Sequence, residues 1–458
     1  MKKEIDNYLR QFEAAQKGRG GSEPSWLNRS RTDAIECFAK AGFPVVGEEG
    51  WKYTNVAPLT AVPFTINGTA TAGGAGPAGD TDPARFSPQD ISTLVPGAYA
   101  NHLLVFINGH YASRLSRPGP LPEGVRLGSL SDILADSPDL LEPHLGRLSN
   151  RLSGAKKNTD PFSALNTAFM EDGAVVLLPM GTVVKTPIYL VFLSTDTEKP
   201  RVTCPRNLIV AGENSQAAIV EYYLGPKPVI YFTNSVTEVI VGDNSVIEHT
   251  KIQEEADPAF HIATLEVIQR QSSCFVSNYL SLGGFLSRNN IHARLDAEGC
   301  DCTLNGLYLG GDRQHMDSHT LIDHLKPHGT SNELYKGVLG GKSRGVFDGK
   351  IIVHRDAQKT SARQTNKNLL LSGESEANPT PQLEIFADDV KVSHGSTVGQ
   401  LDKNQVFYLR SRGIGESAAK SLLTYAFAGE LVDKIKIPAI KDRVKEALTA
   451  KIGPMGPV

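Results

Sequence analysis

The chain has 458 residues, of which 40% are hydrophobic and 21% charged, an ordinary composition for a globular protein. With 47 basic and 50 acidic residues the formal net charge is −3, so no overall basic field points to nucleic acid. No apolar run reaches the roughly 18 residues that span a bilayer; the N-terminal "MKKEIDNYLRQFEAAQK" carries a basic pair without an apolar signal-peptide core behind it, so a cytoplasmic location is expected.

That N-terminal stretch reads as an amphipathic helix, with Ile5, Leu9 and Phe12 on one face beside Tyr8. A second helix fits Trp26 to Ala41, with Ser25 as its cap, Gly42 as its stop and Pro44 just beyond. "EEGWKYTN" follows, from Glu48 to Asn55. Thr65 to Phe86 is rich in Gly, Ala, Thr and Pro, can bury little, and is expected to be a mobile loop. Order resumes in "HLLVFINGHYASRLS", where Leu104 to Ile107 reads as a strand and Asn108-Gly109 as a tight turn.

From about Gly173 the chain becomes a series of short strands separated by polar turns. "IVAGENSQAAIVEYY", "VIVGDNSVIEHTKIQ", "VIQRQSSCFVSNYLS" and "RLDAEGCDCTLNGLY" share one pattern: apolar residues, a turn, then an alternating strand. The turns fall near Gly212, Gly242, Gln271 and Gly299, at spacings of 30, 29 and 28 residues. A drifting period of that size without helices predicts stacked coils, each unable to cover its apolar face alone. The expected fold is a parallel β-helix; a β-sandwich is the alternative, because strands alone do not fix the winding. Two longer stretches break the period: Gly310 to Thr330, and "LSGESEANPTPQ" from Leu371 to Gln382, expected as a surface loop. After Gln405 the period turns helical, with Ala419, Leu422, Leu423, Ala426, Phe427 and Leu431 in step. Pro438 breaks that helix and a last, basic one follows. From Lys434 to Lys451 there are six basic residues and two acids, a charge that suits a solvated helix face. The division expected is 1–100, an N-terminal helical region; 101–408, the β-helix core; and 409–458, a C-terminal helical region.

The chemistry-bearing residues are sparse. Five scattered cysteines, Cys37, Cys204, Cys274, Cys300 and Cys302, include no CxxC and give no disulfide framework. Cys300 and Cys302 would share one strand face, as the start of a soft-metal site or as two small buried residues. His315, His319, His324 and His328 lie within fourteen residues. The i, i+4 pair His315 and His319 suits a metal only on a helix, and "MDSHTLIDHL" alternates like a strand instead. "GGKS" at Gly340 to Ser343 is too short for a phosphate loop. "RSRGIGES" either offers an anion a helix N-terminus or simply opens a helix at Gly415 or Glu416. No complete catalytic constellation is present. In "DDVKVSHGSTVGQLDKNQ", Val390, Val392 and His394 share one strand face. A histidine thus follows two valines at the end of the last strand run, where a solenoid must be capped or paired.

The long stretch "QTNKNLLLSGESEANPTPQLEIFADDVKVSHGSTVGQLDKNQVFYLRSRGIGESAAKSLLTYAFAGELVDKI" resembles the C-terminal signature of the SufB/SufD family of iron–sulfur cluster assembly scaffolds. "NELYKGVLGGKSRGVFDGKIIVHRDAQKTSARQTN" matches the middle of that family, and "GFPVVGEEGWKYTN" is similar to the N-terminal part of its SufD branch. The resemblance implies a right-handed parallel β-helix flanked by N-terminal and C-terminal helices, with no enzymatic activity. It implies SufB and the ATPase SufC as partners, a homodimer as a state of the isolated chain, and no nucleic acid or membrane. SufB-like chains carry cysteines in the places held here by "VSHGSTVG" and by Leu409. SufD-like chains carry the histidine matched by His394, and many have a cysteine where this chain has Val392. By that resemblance His394 is the metal ligand, meeting a transient iron–sulfur cluster together with a SufB cysteine, and the C-terminal helices dock SufC. A flavin-reduced complex is a family theme, but no flavin site is legible. The readings left beside this one are a carbohydrate-active β-helix enzyme and a purely structural solenoid.

Overall fold

The computed structural model describes residues 2–19, 23–66, 86–148, 160–197, 199–225 and 229–452. From Arg206 onward successive strands alternate between two sheets, and every pairing among them is parallel. Each strand lies beside those one coil earlier and one coil later. Phe260 stands next to Leu286, Leu286 next to His315, His315 next to Arg344, and Arg344 next to Glu376. About eight such turns stack between residues 175 and 399. The fold is the expected β-solenoid and not the sandwich.

The period is written in the corners. Asn214, Asn244, Ser272, Gly299, His328 and Lys359 all take positive φ, a conformation cheap for Gly and tolerated by Asn. Their N–H groups bond the carbonyl of the next coil's turn, as in Asn214 to Asp243 (2.8 Å), Asn244 to Gln271 (2.8 Å) and Ser272 to Glu298 (2.9 Å). One turn therefore templates the next.

The two sheets enclose a core to which Ile219, Phe275, Leu304, Ile351 and Val353 contribute. At the N-terminal end the edge strands are covered. His110–Tyr111 pairs antiparallel with His102–Ile107, and Arg126–Ser129 pairs antiparallel with Ala174–Leu178. The Asn108-Gly109 turn joins the first pair as expected, both residues at positive φ.

Helices α1 (Lys2–Arg19), α2 (Ser25–Ala41) and α3 (Pro161–Phe169) pack together through aromatic rings. Tyr8 meets Phe38, Phe43 and Phe169 edge-on, with centroids 5.6–6.4 Å apart. Helices α4 (Lys403–Ser411), α5 (Glu416–Val432) and α6 (Pro438–Ile452) close the chain. Residues of α5 and α6, among them Leu431, Val444 and Leu448, bury the outer apolar face of the second sheet, where Ile252, Leu280 and Leu307 point. Lys336 fastens α5 by donating to the Phe427 carbonyl (2.7 Å) and pairing with Glu430 (2.6 Å). Arg443 fastens α6 through its ion pair with Glu254. Among the described residues no helix is long and apolar enough to cross a membrane.

Three local expectations are corrected. Ser25 is the first residue of α2 and not its cap; Pro24 holds the cap position, with no side-chain cap bond. Gly42 does end the helix, at φ 70°, its N–H bonding the Phe38 carbonyl. Gly310 to Thr330 is no insertion: its middle is the regular ten-residue strand His315–His324. Leu371 to Gln382 is a turn only over 371–375; from Glu376 it belongs to Glu376–Ile385, the last strand of the first sheet. Pro379 and Pro381 made that stretch look irregular, yet an edge strand can leave their missing N–H groups on its unpaired side. Of the expected mobile loop, residues 67–85 lie outside the described residues, and Thr65–Ile66 pairs with part of Arg201–Thr203. The strand run ends at Gly399, four residues before α4 begins.

Candidate functional site at the open end of the solenoid

The strand Lys391–Gly399 is hydrogen-bonded on one side only, to Ser361–Leu370. Glu376–Ile385 is likewise paired only with Arg344–Val353. Among the described residues both sheets thus end without a further strand, in contrast to the N-terminal end, where short antiparallel strands are added. Phe386 (57% exposed), Val398 and Ile385 add apolar surface there. An unpaired edge with exposed apolar residues is a surface for association.

His394 sits on this terminal strand. Val390 and Val392 pack against the inner core, so the row they begin points inward, and His394 continues it. It is nevertheless exposed, because no strand follows on that side.

Beneath it the inward row is polar. The Cα partner of His394 is Gln364, and that of Gln364 is Glu333. Gln364 donates from Nε2 to Glu333 Oε2 over 2.6 Å, and both side chains are buried. Burial pushes the Glu333 carboxyl up to about 7, because the charged form loses its water. Among the described residues Gln364 Oε1 is buried without a hydrogen-bond partner. Deeper in the solenoid, His249 Nε2 lies 3.2 Å from Glu221 Oε1, and Thr237 donates to the same oxygen over 2.7 Å. Burial alone would raise Glu221, but the His249 bond and the charges of His249 and Lys251 outweigh it and hold it at about 2. Burial lowers Lys251 to about 8. Sequence reasoning missed this polar interior. The signal was parity: in "VIEHTKIQE" His249 and Lys251 share the face of the inward Ile247.

The other sequence candidates are scattered by the coil geometry. Cys300 and Cys302 share a face, but that face is the core, where both are buried. Cys300 Sγ lies 3.1 Å from the Arg270 carbonyl, and burial raises both thiols, Cys302 well above the usual range. Neither is poised as a thiolate ligand. His315 contacts Thr54 Oγ1 at 2.9 Å, and His319 pairs with Asp317 at 3.0 Å. His324 points inward to Ser331, lowered to about 4 by burial, while His328 occupies a corner at φ 59°. "GGKS" is one more turn between strands. Gly415 is the cap of α5, and Glu416 opens it while pairing with Arg410 (3.3 Å). No group of three or more His, Cys, Asp or Glu side chains is placed to hold a metal ion among the described residues.

Comparison with known proteins agrees over most of the chain. Residues 2–190 match the SufBD protein N-terminal region, and residues 192–427 match the SufBD core domain of the SUF system for FeS cluster assembly. An iron–sulfur cluster assembly SufBD family protein of Synechocystis is 33% identical over 98% of this chain and 96% of its own length. The iron–sulfur cluster assembly protein SufD of Escherichia coli is 28% identical over 90% of this chain and 89% of its own. SufD of Bacillus subtilis is 24% identical over 94% of this chain and 95% of its own. Two family matches that meet end to end, carried on a solenoid with helices at both termini, place this chain in the SufBD family, a scaffold-type component of the SUF system of iron–sulfur cluster assembly.

Proposed function

We propose that this chain is a SufD-type scaffold subunit that pairs its open solenoid end with SufB and carries the ATPase SufC on its C-terminal region. In this reading residues 101–408 provide the paired core, 1–100 brace its N-terminal end, and 409–458 dock SufC, all in the cytoplasm. The nascent iron–sulfur cluster is cargo, held transiently between His394 and a cysteine of SufB. Neutral imidazole suits iron and a thiolate supplies the softer donor. The valine at 392 leaves His394 as the one donor this chain offers in the motif, so the cluster is shared and not owned.

The observation that carries this reading is the bare final coil: two edge strands paired on one side, with an exposed histidine in a row that otherwise points inward. The test is co-expression with SufB and SufC, purification through a tag on this chain alone, and anaerobic iron and sulfide analysis. A three-protein complex carrying iron and sulfide is expected. Failure to retain SufB would remove the proposal.

A further inference from the structure

We propose that Gln364, held by Glu333, becomes the positioning residue for His394 in the assembled complex: its amide oxygen, open in the lone chain, takes one ring N–H once the end is covered and thereby aims the other ring nitrogen toward the partner. The inference rests on the reading of His394 as a shared ligand.

Three observations lead to it. Gln364 and His394 are register partners on adjacent parallel strands, so their side chains stand side by side on the inward face. The Gln364 amide is anchored from below through its nitrogen, at 2.6 Å from Glu333 Oε2. Its oxygen is fully buried and has no partner among the described residues. A buried acceptor left open costs roughly 1–3 kcal/mol of desolvation, so a group that completes it has a reason to be there. Among the register partners of Gln364, Glu333 is the acid that already takes its nitrogen, and His394 is the neighbour that can donate.

The backbone opposite makes room for this amide. A Cβ on Gly349, in the facing sheet, would sit 2.4 Å from Gln364 Nε2. Gly349 has no positive φ that would itself demand glycine. The same Cβ would also meet the Phe347 ring at 2.6 Å, so the absent side chain leaves one space shared by the Gln364 head group and that ring.

Chemically the arrangement has the logic of histidine ligands in general. A metal-binding imidazole donates its second N–H to a carboxylate or carbonyl, which fixes its tautomer and orientation. Here the carbonyl is an amide, and the buried acid of the next coil fixes the amide. No proton or electron changes hands in this role; the ring is oriented before metal arrives.

The test uses this chain, labelled with 15N at histidine and assembled with unlabelled SufB and SufC without iron. His394→Ala identifies the 394 ring signals. The expected result is a single neutral tautomer at His394 in the parent complex and a mixture of two in Gln364→Leu. Gln364→Glu keeps the shape of the side chain and an acceptor oxygen, and should retain the single tautomer, whereas Gly349→Ala, which crowds both Gln364 and Phe347, should give the mixture. In iron titrations the Gln364→Leu complex should bind about 10-fold more weakly, with assembly unchanged. Identical tautomer populations in the parent, Gln364→Leu and Gly349→Ala would overturn the inference. Unchanged iron binding in His394→Ala would instead overturn the ligand reading on which it rests, so the two failures are distinguishable.

Discussion

His394 owes its exposure to where the stack of coils stops. Rows of the same parity in earlier coils are closed by the next strand, as Gln364 and Glu333 are. Were His394 a satisfied core residue, truncation would leave a cavity and unpaired neighbours, costing roughly 1–3 kcal/mol. As an exposed side chain it should be removable almost without cost. His394→Ala in the lone chain is therefore expected to shift the melting temperature by no more than about 1–2 °C; a large drop would show that it packs. Glu333 makes a second residue-scale prediction. Folded, its buried carboxyl keeps a proton up to about pH 7, whereas the unfolded chain releases it near the ordinary 4.5. The stabilising contribution is full below the unfolded value and is lost as pH rises through the folded one. Urea melts at about pH 5 and about pH 8 should thus differ less for Glu333→Gln than for the parent. An equal difference in both would mean that this carboxyl titrates normally.

At the scale of elements, the C-terminal helices divide into two kinds. Helices α5 and α6 cover the outer apolar face of the second sheet. Deletion after Arg412 should bare Ile252, Leu280 and Leu307, lower the melting temperature and raise binding of an apolar dye; unchanged melting would mean that these helices add little to the core. Helix α4 buries none of its residues and displays Phe407 at 71% and Tyr408 at 57% exposure. These two large exposed aromatics stand at the boundary with residues 409–458 and extend the proposed SufC surface onto this helix. Phe407→Ser with Tyr408→Ser should weaken SufC capture while leaving the melting temperature within about 2 °C. Full SufC capture by this variant would move the docking surface elsewhere.

The elements also show what the sequence made legible. Turn spacing revealed the solenoid because corner residues must repeat for each coil to template the next. Helical spacing placed α5 from its apolar residues, but not which positions would be buried: Ala426 is exposed, whereas Ser421 and Thr424 are buried. Pro379 and Pro381 disguised the last strand of the first sheet, since an edge position is a property of the stack and not of the segment. The row Glu333–Gln364–His394 was half legible. Parity placed His394 on an inward face, but its two polar companions are 30 and 61 residues away in sequence, and only coil register brings them together.

For the whole molecule, the ends are unequal, and the inequality is the functional argument. One end is closed by antiparallel strands and braced by helices, the other offers two open edges and one imidazole. A single ligand does not hold a cluster, which typically takes four protein donors. The lone chain, reconstituted anaerobically and desalted, should keep neither stoichiometric iron nor visible charge-transfer absorption; retention of both would mean a site made entirely within this chain. The central claim, that this end shares its cargo with a partner through His394, is tested most directly by iron and sulfide content per complex. The parent chain and His394→Ala would each be assembled with SufB and SufC and loaded under limiting iron. The account predicts that both complexes form and that the variant carries several-fold less iron and sulfide, on the order of the 10-fold typical of a lost ligand contact. Equal loading of the two complexes would contradict it.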